Sequence, residues 1–142
     1  MEAHFENYAQ EGNVFLKNVA AELGSPDDMG HAFRVTQAVF HALRDRITIE
    51  ESMHLISELP MALKGMYVNE WNISKKRSDS ETADEFLNEI LNETRTADID
   101  FGSSAREEAR AVFRVIRSCV SPGEMEHVKG QLTPEIAELM EA

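Results

Sequence analysis

The sequence predicts an all-α protein, a pseudo-two-fold duplicated helical bundle of about eight helices with four in each repeat. Three observations lead to this prediction: an internal repeat at a fixed offset, apolar residues at helical spacing, and no segment with a convincing strand pattern. A chain of 142 residues can bury a core without disulfides. We therefore expect a single domain over 1–142, with repeat one over 11–71, a polar linker over 72–81 and repeat two over 82–141.

The repeat matches residues 32–63 to residues 105–136 at an offset of 73 without a gap, and 8 of the 32 positions are identical. Helical periodicity alone would align apolar positions. It does not account for matched charged and polar residues, so we interpret the match as a duplication. The identical pairs with functional side chains are Arg44/Arg117, Glu51/Glu124 and His54/His127.

The first two helices follow from apolar spacing and from end signals. A helix is predicted over about Glu11–Leu23 and is ended by Gly24, whose lack of a Cβ suits a left-handed C-terminal residue. A longer helix is predicted over Asp27–Ile47, with apolar residues every three or four positions and Ser25 as the N-cap.

The next helices begin at recognisable caps. Thr48-x-x-Glu51 and Ser121-x-x-Glu124 each predict a capping box that opens a short helix, and Ser104-x-x-Glu107 predicts a third box at the long helix of repeat two. A helix over about Thr82–Thr94 precedes that long helix. Pro60 and the pair Thr133-Pro134 each end one short helix and begin another.

Charge and cysteine content exclude several classes of protein. The net charge of −12 argues against non-specific nucleic-acid binding, because a phosphate backbone requires a basic surface. No apolar run is long enough to span a membrane, and we expect no signal peptide because the first residues carry neither a basic region nor an apolar core. Cys119 is the single cysteine, which excludes an internal disulfide. We expect a cytoplasmic protein.

Several motifs together resemble a known family. They are the run Ala38-Val39-Phe40-His41-Ala42-Leu43-Arg44-Asp45-Arg46-Ile47, followed by Leu59-Pro60, Lys64-Gly65-Met66-Tyr67 and Trp71. From about Phe15 to Leu139 the chain resembles the bacterial family catalogued as domain of unknown function 2267. One departure is Thr133, which stands where the family's second Leu-Pro has its proline. The resemblance implies an all-helical cytoplasmic bacterial protein and no established activity.

The Glu-x-x-His motif that occurs at Glu51 and His54, and again at Glu124 and His127, is the candidate metal site. Two such motifs combine with one glutamate from each of two further helices in ferritin-like di-iron proteins, and the matching glutamates here would be Glu22 and Glu93. On a helical wheel each histidine lies about 130° from its apolar face. We therefore expect exposed histidines beside capping glutamates. A surface metal site shared between the repeats or between subunits is the alternative.

Arg44 and Arg117 are the candidate anion site. They lie at equivalent positions near the ends of the two long helices, where two guanidinium groups could converge on an anion. The competing interpretation, which we favour, is that each arginine binds unpaired carbonyl groups in a last helical turn.

The segment that contains Tyr67 and Trp71 is the candidate interaction surface, because aromatic residues and Met are enriched at interfaces. Alternatively it covers the open end of the core of the first half. Lys75, Lys76 and Arg77 fit a solvated linker or a contact to an acidic neighbour.

No catalytic set is recognisable. Cys119 lies near a helix C-terminus, where its thiolate is disfavoured, and no nucleotide-binding or hydrolase motif is present in the sequence. We therefore expect no cofactor and favour a non-catalytic protein–protein interaction or adaptor module, with an unidentified protein or a second copy as its partner. The alternative is a protein that binds a metal or a small ligand through the paired Glu and His residues or the paired Arg residues.

Overall fold

The computed structural model describes residues 5–74, 82–95 and 104–141. Over these residues the chain is all-helical and contains no strand, which confirms the prediction of an all-α protein. Its elements are α1 (Glu6–Glu22), α2 (Met29–Arg44), α3 (Ile49–Glu58), α4 (Met61–Val68), α5 (Ala83–Thr94), α6 (Ala105–Arg117), α7 (Pro122–Gln131), α8 (Pro134–Ala137) and a 3-10 turn (Glu138–Met140). Most of the linker predicted over 72–81, including Lys75, Lys76 and Arg77, lies outside the described residues.

The four longest helices form the centre of the molecule. Helix α2 packs against α1, α5 and α6, and α6 also packs against α1 and α5. The shorter helices lie around this bundle: α4 covers α1 and α2, α8 contacts α5, and α3 packs on α7. None of the described helices is long and apolar enough to span a membrane.

One apolar core connects the two halves. Phe40 and Tyr67 from the first half pack with ring centroids 5.4 Å apart, and Phe86 and Phe113 from the second half stack at 6.4 Å. These four side chains are among the most deeply buried in the described chain and belong to the same cluster of buried apolar residues. The period of three to four residues in the sequence therefore identifies most of the buried faces, although Phe33, which the period places on the buried face of α2, is 43% exposed.

Two helix starts differ from the prediction. Helix α1 begins five residues earlier than expected, at Glu6, and ends as expected before Gly24, whose φ of 77° completes a Schellman motif. Helix α2 begins at Met29 rather than Asp27, because Asp28 and not Ser25 is its N-cap. The Asp28 carboxylate accepts the backbone N–H of His31 at 3.0 Å.

Gly12 sets the distance between α1 and α4. A Cβ atom at this position would lie 2.8 Å from Ala62 Cβ on α4, closer than carbon atoms pack. Ala62 has no rotamer that could relieve this contact. The two helices can therefore approach this closely only because residue 12 is glycine.

We predict that Gly12→Ala destabilises the protein by about 1–3 kcal/mol, because α1 and α4 must separate. This loss should appear although alanine is intrinsically better than glycine in a helix by roughly 0.5–1 kcal/mol. Gly65→Ala is the matched control, since a Cβ there meets nothing within 4 Å, and it should stabilise. Urea unfolding followed by circular dichroism measures both variants. Equal effects of the two substitutions would contradict the prediction.

Candidate metal centre

Helices α3 and α7 exchange caps, in the sense that a side chain at the end of each helix accepts the N-cap N–H of the other. The backbone N–H of Thr48, the N-cap of α3, donates to Oε1 of Gln131 at the end of α7 at 2.8 Å. The backbone N–H of Ser121, the N-cap of α7, donates to Oε1 of Glu58 at the end of α3 at 2.7 Å. Each helix start therefore lies beside the other helix end, so α3 and α7 run antiparallel.

This exchange corrects the two capping boxes predicted at Thr48 and Ser121. Their hydroxyl oxygens do accept the N–H groups of Glu51 and Glu124, at 3.0 and 3.2 Å. The second bond of a capping box, from the N-cap N–H to the glutamate carboxylate, is replaced by the bond to the other helix. The carboxylates of Glu51 and Glu124 are thus free for another role. The predicted box at Ser104 and Glu107 is complete.

Glu51 and Glu124 form a buried pair of carboxyl groups between α3 and α7. The two residues are 8% and 6% exposed, and Oε2 of each, as an ionised carboxylate, is buried without a hydrogen-bond partner among the described residues. Burial, a hydrogen bond with Glu51 and the negative charges of Glu51 and Glu58 raise the pKa of Glu124 to about 8. Two buried like charges need compensation by a proton or a cation.

The two histidines lie at the rim of this pair. His54 and His127 are exposed, as the helical wheel predicts. Even so, the ligand atoms of Glu51, His54 and Glu124 all lie within 4.8 Å of one another. His127 Nδ1 lies 3.8 Å from Glu124 Oε1. The structure therefore brings Glu51, His54 and Glu124 together, with His127 beside Glu124.

The di-iron arrangement would also require Glu22 and Glu93, but both side chains contact other residues away from Glu51 and Glu124. Glu22 forms an ion pair with Arg114 at 3.1 Å, and Glu93 accepts from His41 Nδ1 at 2.7 Å. Both glutamates are exposed at the ends of α1 and α5. Neither belongs to the cluster of potential ligands found among the described residues.

Arg44 and Arg117 lie in different environments. Arg44 is buried and donates to the carbonyl oxygens of Tyr67, Asn69 and Glu70 at 2.7, 2.9 and 3.3 Å. Arg44 therefore binds carbonyl groups, as the favoured interpretation expects. These carbonyl groups lie at the end of α4, however, and not at the end of its own helix, α2. Burial lowers its pKa. Arg117 is exposed on α6.

Tyr67 and Trp71 cover the core of the first half. Tyr67 is fully buried, and its hydroxyl group shares a 2.7 Å hydrogen bond with Ser52 Oγ on α3. Trp71 is half-buried, packs edge-on to Tyr67 at 5.8 Å and lies under the guanidinium of Arg44 at 5.6 Å. In this conformation a partner could reach Trp71 but not the Tyr67 ring. Cys119 is half-buried, and burial raises the pKa of its thiol.

The sequence analysis did not identify the buried carboxylate of Glu108. Glu108 is fully buried on α6, where its carboxylate binds the guanidinium of Arg95 at 3.1 and 3.2 Å and lies 3.2 Å from His31 Nε2. These residues are 13 and 77 positions apart in the chain. No local spacing signals such a contact, so only the tertiary structure reveals it.

A family model described as "Uncharacterized conserved protein (DUF2267)" matches residues 12–139. The chain belongs to this family. This confirms the resemblance seen in the sequence, and the match includes α3 and α7 with all four Glu and His residues of the candidate centre. No curated protein matches the chain.

We predict that Arg44→Ala destabilises the protein by about 1.5–3 kcal/mol, because it leaves carbonyl groups at the end of α4 without their charged donor. Arg117→Ala, 73 positions further along the chain, should change stability by less than about 0.5 kcal/mol because the side chain is exposed. Urea unfolding of both variants measures the difference. A loss in Arg117→Ala as large as that in Arg44→Ala would be inconsistent with these environments.

We also predict a pH effect of Glu124 in metal-free buffer. Its pKa rises from 4.5 to about 8 on folding, so the folded chain favours the protonated form. The stability that this group contributes is full below pH 4.5 and is lost as pH rises towards about 8. The free energy of unfolding should therefore fall over this range relative to Glu124→Gln, whose amide stays neutral. A difference between the two proteins that does not change with pH would refute the shift.

Proposed function

We propose that this protein binds a divalent transition-metal ion between α3 and α7 through Glu51, His54 and Glu124. The observation that carries the proposal is the buried pair of carboxyl groups with an imidazole at its rim, since all three ligand atoms lie within 4.8 Å of one another. An ion at this position would neutralise the two carboxylates and bind the buried Oε2 atoms, which lack a hydrogen-bond donor when both groups are ionised.

The ligand set indicates which ions are suited to the site. Carboxylate oxygen alone suits Mg²⁺ or Ca²⁺, whereas imidazole suits Zn²⁺, Fe²⁺ and their neighbours in the first transition row. Mg²⁺ also requires nearly octahedral oxygen coordination, which one histidine and two glutamates do not provide. We therefore expect ions such as Zn²⁺ or Co²⁺ to bind in preference to Mg²⁺.

We further propose that the halves 11–71 and 82–141 are duplicated units of one domain. Equivalent residues make equivalent contacts: Thr48 and Ser121 exchange caps with the opposite helix. The contact of His41 Nδ1 with Glu93 likewise corresponds to the ion pair of Arg114 with Glu22. His41 and Arg114 are 73 positions apart, and Glu22 and Glu93 are 71 apart. These matches support the duplication, and it would place the metal near the pseudo-two-fold axis.

An interaction module is the second candidate function, and one surface feature favours it. Ile49 and Met53 lie one turn apart on α3 and are 46% and 54% exposed. Such a pair of exposed apolar side chains beside the candidate metal centre could contact an unidentified protein or a second copy. Sedimentation of the wild-type protein and of Ile49→Ser/Met53→Ser would test self-association through this surface. We place either function in the bacterial cytoplasm and expect it to be non-catalytic.

We predict that the purified protein, stripped of metal with a chelator, binds Zn²⁺ with one-to-one stoichiometry in isothermal titration calorimetry at pH 8. Glu124→Gln should weaken this binding at least about 10-fold, because it removes a charged ligand. Glu126→Gln is the matched control, since Glu126 lies on the same helix with its side chain 71% exposed and pairs with Lys129 instead.

Three results would count against the proposal: no heat of binding, binding unchanged in Glu124→Gln, or equal loss in both variants. Thermal unfolding with and without Zn²⁺ provides an independent readout, because a ligand that binds the folded state raises the melting temperature.

A further inference from the structure

His127 is the one member of the two Glu-x-x-His motifs that the proposed three-ligand site leaves out. It lies on α7 one turn after Glu124, as His54 lies on α3 one turn after Glu51. The ligand atom of His54 lies within 4.8 Å of both carboxyl groups, and His127 Nδ1 lies beside that of Glu124.

The distance from His127 to Glu124 already suits a shared metal ion. Zn²⁺ binds carboxylate oxygen and imidazole nitrogen at about 2.0–2.2 Å, so two ligand atoms of a tetrahedral ion lie about 3.4 Å apart. His127 Nδ1 lies 3.8 Å from Glu124 Oε1. The histidine side chain is 70% exposed, so its ring can turn towards the carboxylates without displacing packed neighbours.

A metal site also requires buried ligand atoms that are available to bind the ion. The Glu124 side chain is 5% exposed, and its Oε2 atom has no hydrogen-bond partner among the described residues apart from the neighbouring carboxyl group of Glu51. The same holds for Oε2 of Glu51, which is 8% exposed. Two buried oxygen ligands beneath two exposed imidazoles make a set of four that can surround one ion.

We propose that His127 is the fourth ligand and that Glu51, His54, Glu124 and His127 hold one tetrahedral zinc-type ion. This inference rests on the proposed function. Two ligands come from α3 and two from α7, so the ion joins the two halves of the chain. Four protein ligands leave no open coordination position, which is the arrangement of structural rather than catalytic zinc sites.

Replacing zinc with Co²⁺ makes the coordination visible, because tetrahedral Co²⁺ absorbs much more strongly in the visible range than five- or six-coordinate Co²⁺. We would titrate the chelator-stripped full chain with Co²⁺ at pH 8. The wild-type protein should give an intense tetrahedral spectrum. His127→Ala and His54→Ala should each lose this intensity and bind Co²⁺ at least about 10-fold more weakly. Glu126→Ala, an exposed neighbour on α7, should match the wild type.

A second variant gives a positive signature. His127→Cys should place a thiolate on the ion and add a charge-transfer band in the near ultraviolet. The wild-type chain serves as its baseline, because Cys119 is present in both proteins and lies outside the ligand cluster. Circular dichroism of each variant checks that the fold is kept.

The outcomes separate this inference from the proposed function. If wild-type binding is weakened by His54→Ala but neither the affinity nor the spectrum changes in His127→Ala, the fourth ligand is refuted and the three-ligand site stands. If His127→Cys adds no charge-transfer band, the fourth ligand is refuted as well. If the wild-type protein binds no Co²⁺ or Zn²⁺, both proposals are overturned.

Discussion

The exchange of caps between α3 and α7 is the constraint on which the arrangement around the candidate centre depends. A helix start has N–H groups without partners inside the helix, and a glutamate three residues after the N-cap is a common local partner. Here Gln131 and Glu58 take that role from the opposite helix. The local glutamates, Glu51 and Glu124, therefore do not cap their own helices. The two hydrogen bonds that replace them also hold α3 against α7, with both carboxyl groups between the helices.

The position of these carboxyl groups in the first turn of each helix lowers part of the cost of burying them. The N-terminal end of a helix dipole stabilises negative charge, typically by about 0.3–1 kcal/mol. That is smaller than the penalty of several kcal/mol for bringing a carboxylate into a protein interior. The helix ends therefore do not compensate the pair by themselves. The remaining imbalance is met by a proton, which is why the pKa of Glu124 is raised, or by a cation.

The sequence predicts most of the fold, because each helix has a local signal. The N-caps Thr48, Ser104 and Ser121 and the helix end at Gly24 each depend on a few neighbouring residues, and the structure confirms them. Ser25 is the exception, because Asp28 caps α2 instead. The candidate metal centre is harder to predict from the sequence, because it depends on contacts between helices. A helical wheel correctly exposes His54 but treats each helix alone, so it cannot show that α7 buries Glu51. For Arg44 the sequence identifies the kind of partner, carbonyl oxygen, and not the helix that supplies it.

The difference in charge between Glu58 and Gln131 gives the two carboxyl groups different electrostatic surroundings. These residues hold equivalent positions at the ends of α3 and α7, and each accepts the N-cap N–H of the opposite helix. Only Glu58 carries a charge, and that charge contributes to the raised pKa of Glu124. Gln131, on the other side, makes the same hydrogen bond without adding a negative charge. The electrostatic surroundings of the two caps thus differ, because an amide replaces a carboxylate in one cap and not in the other.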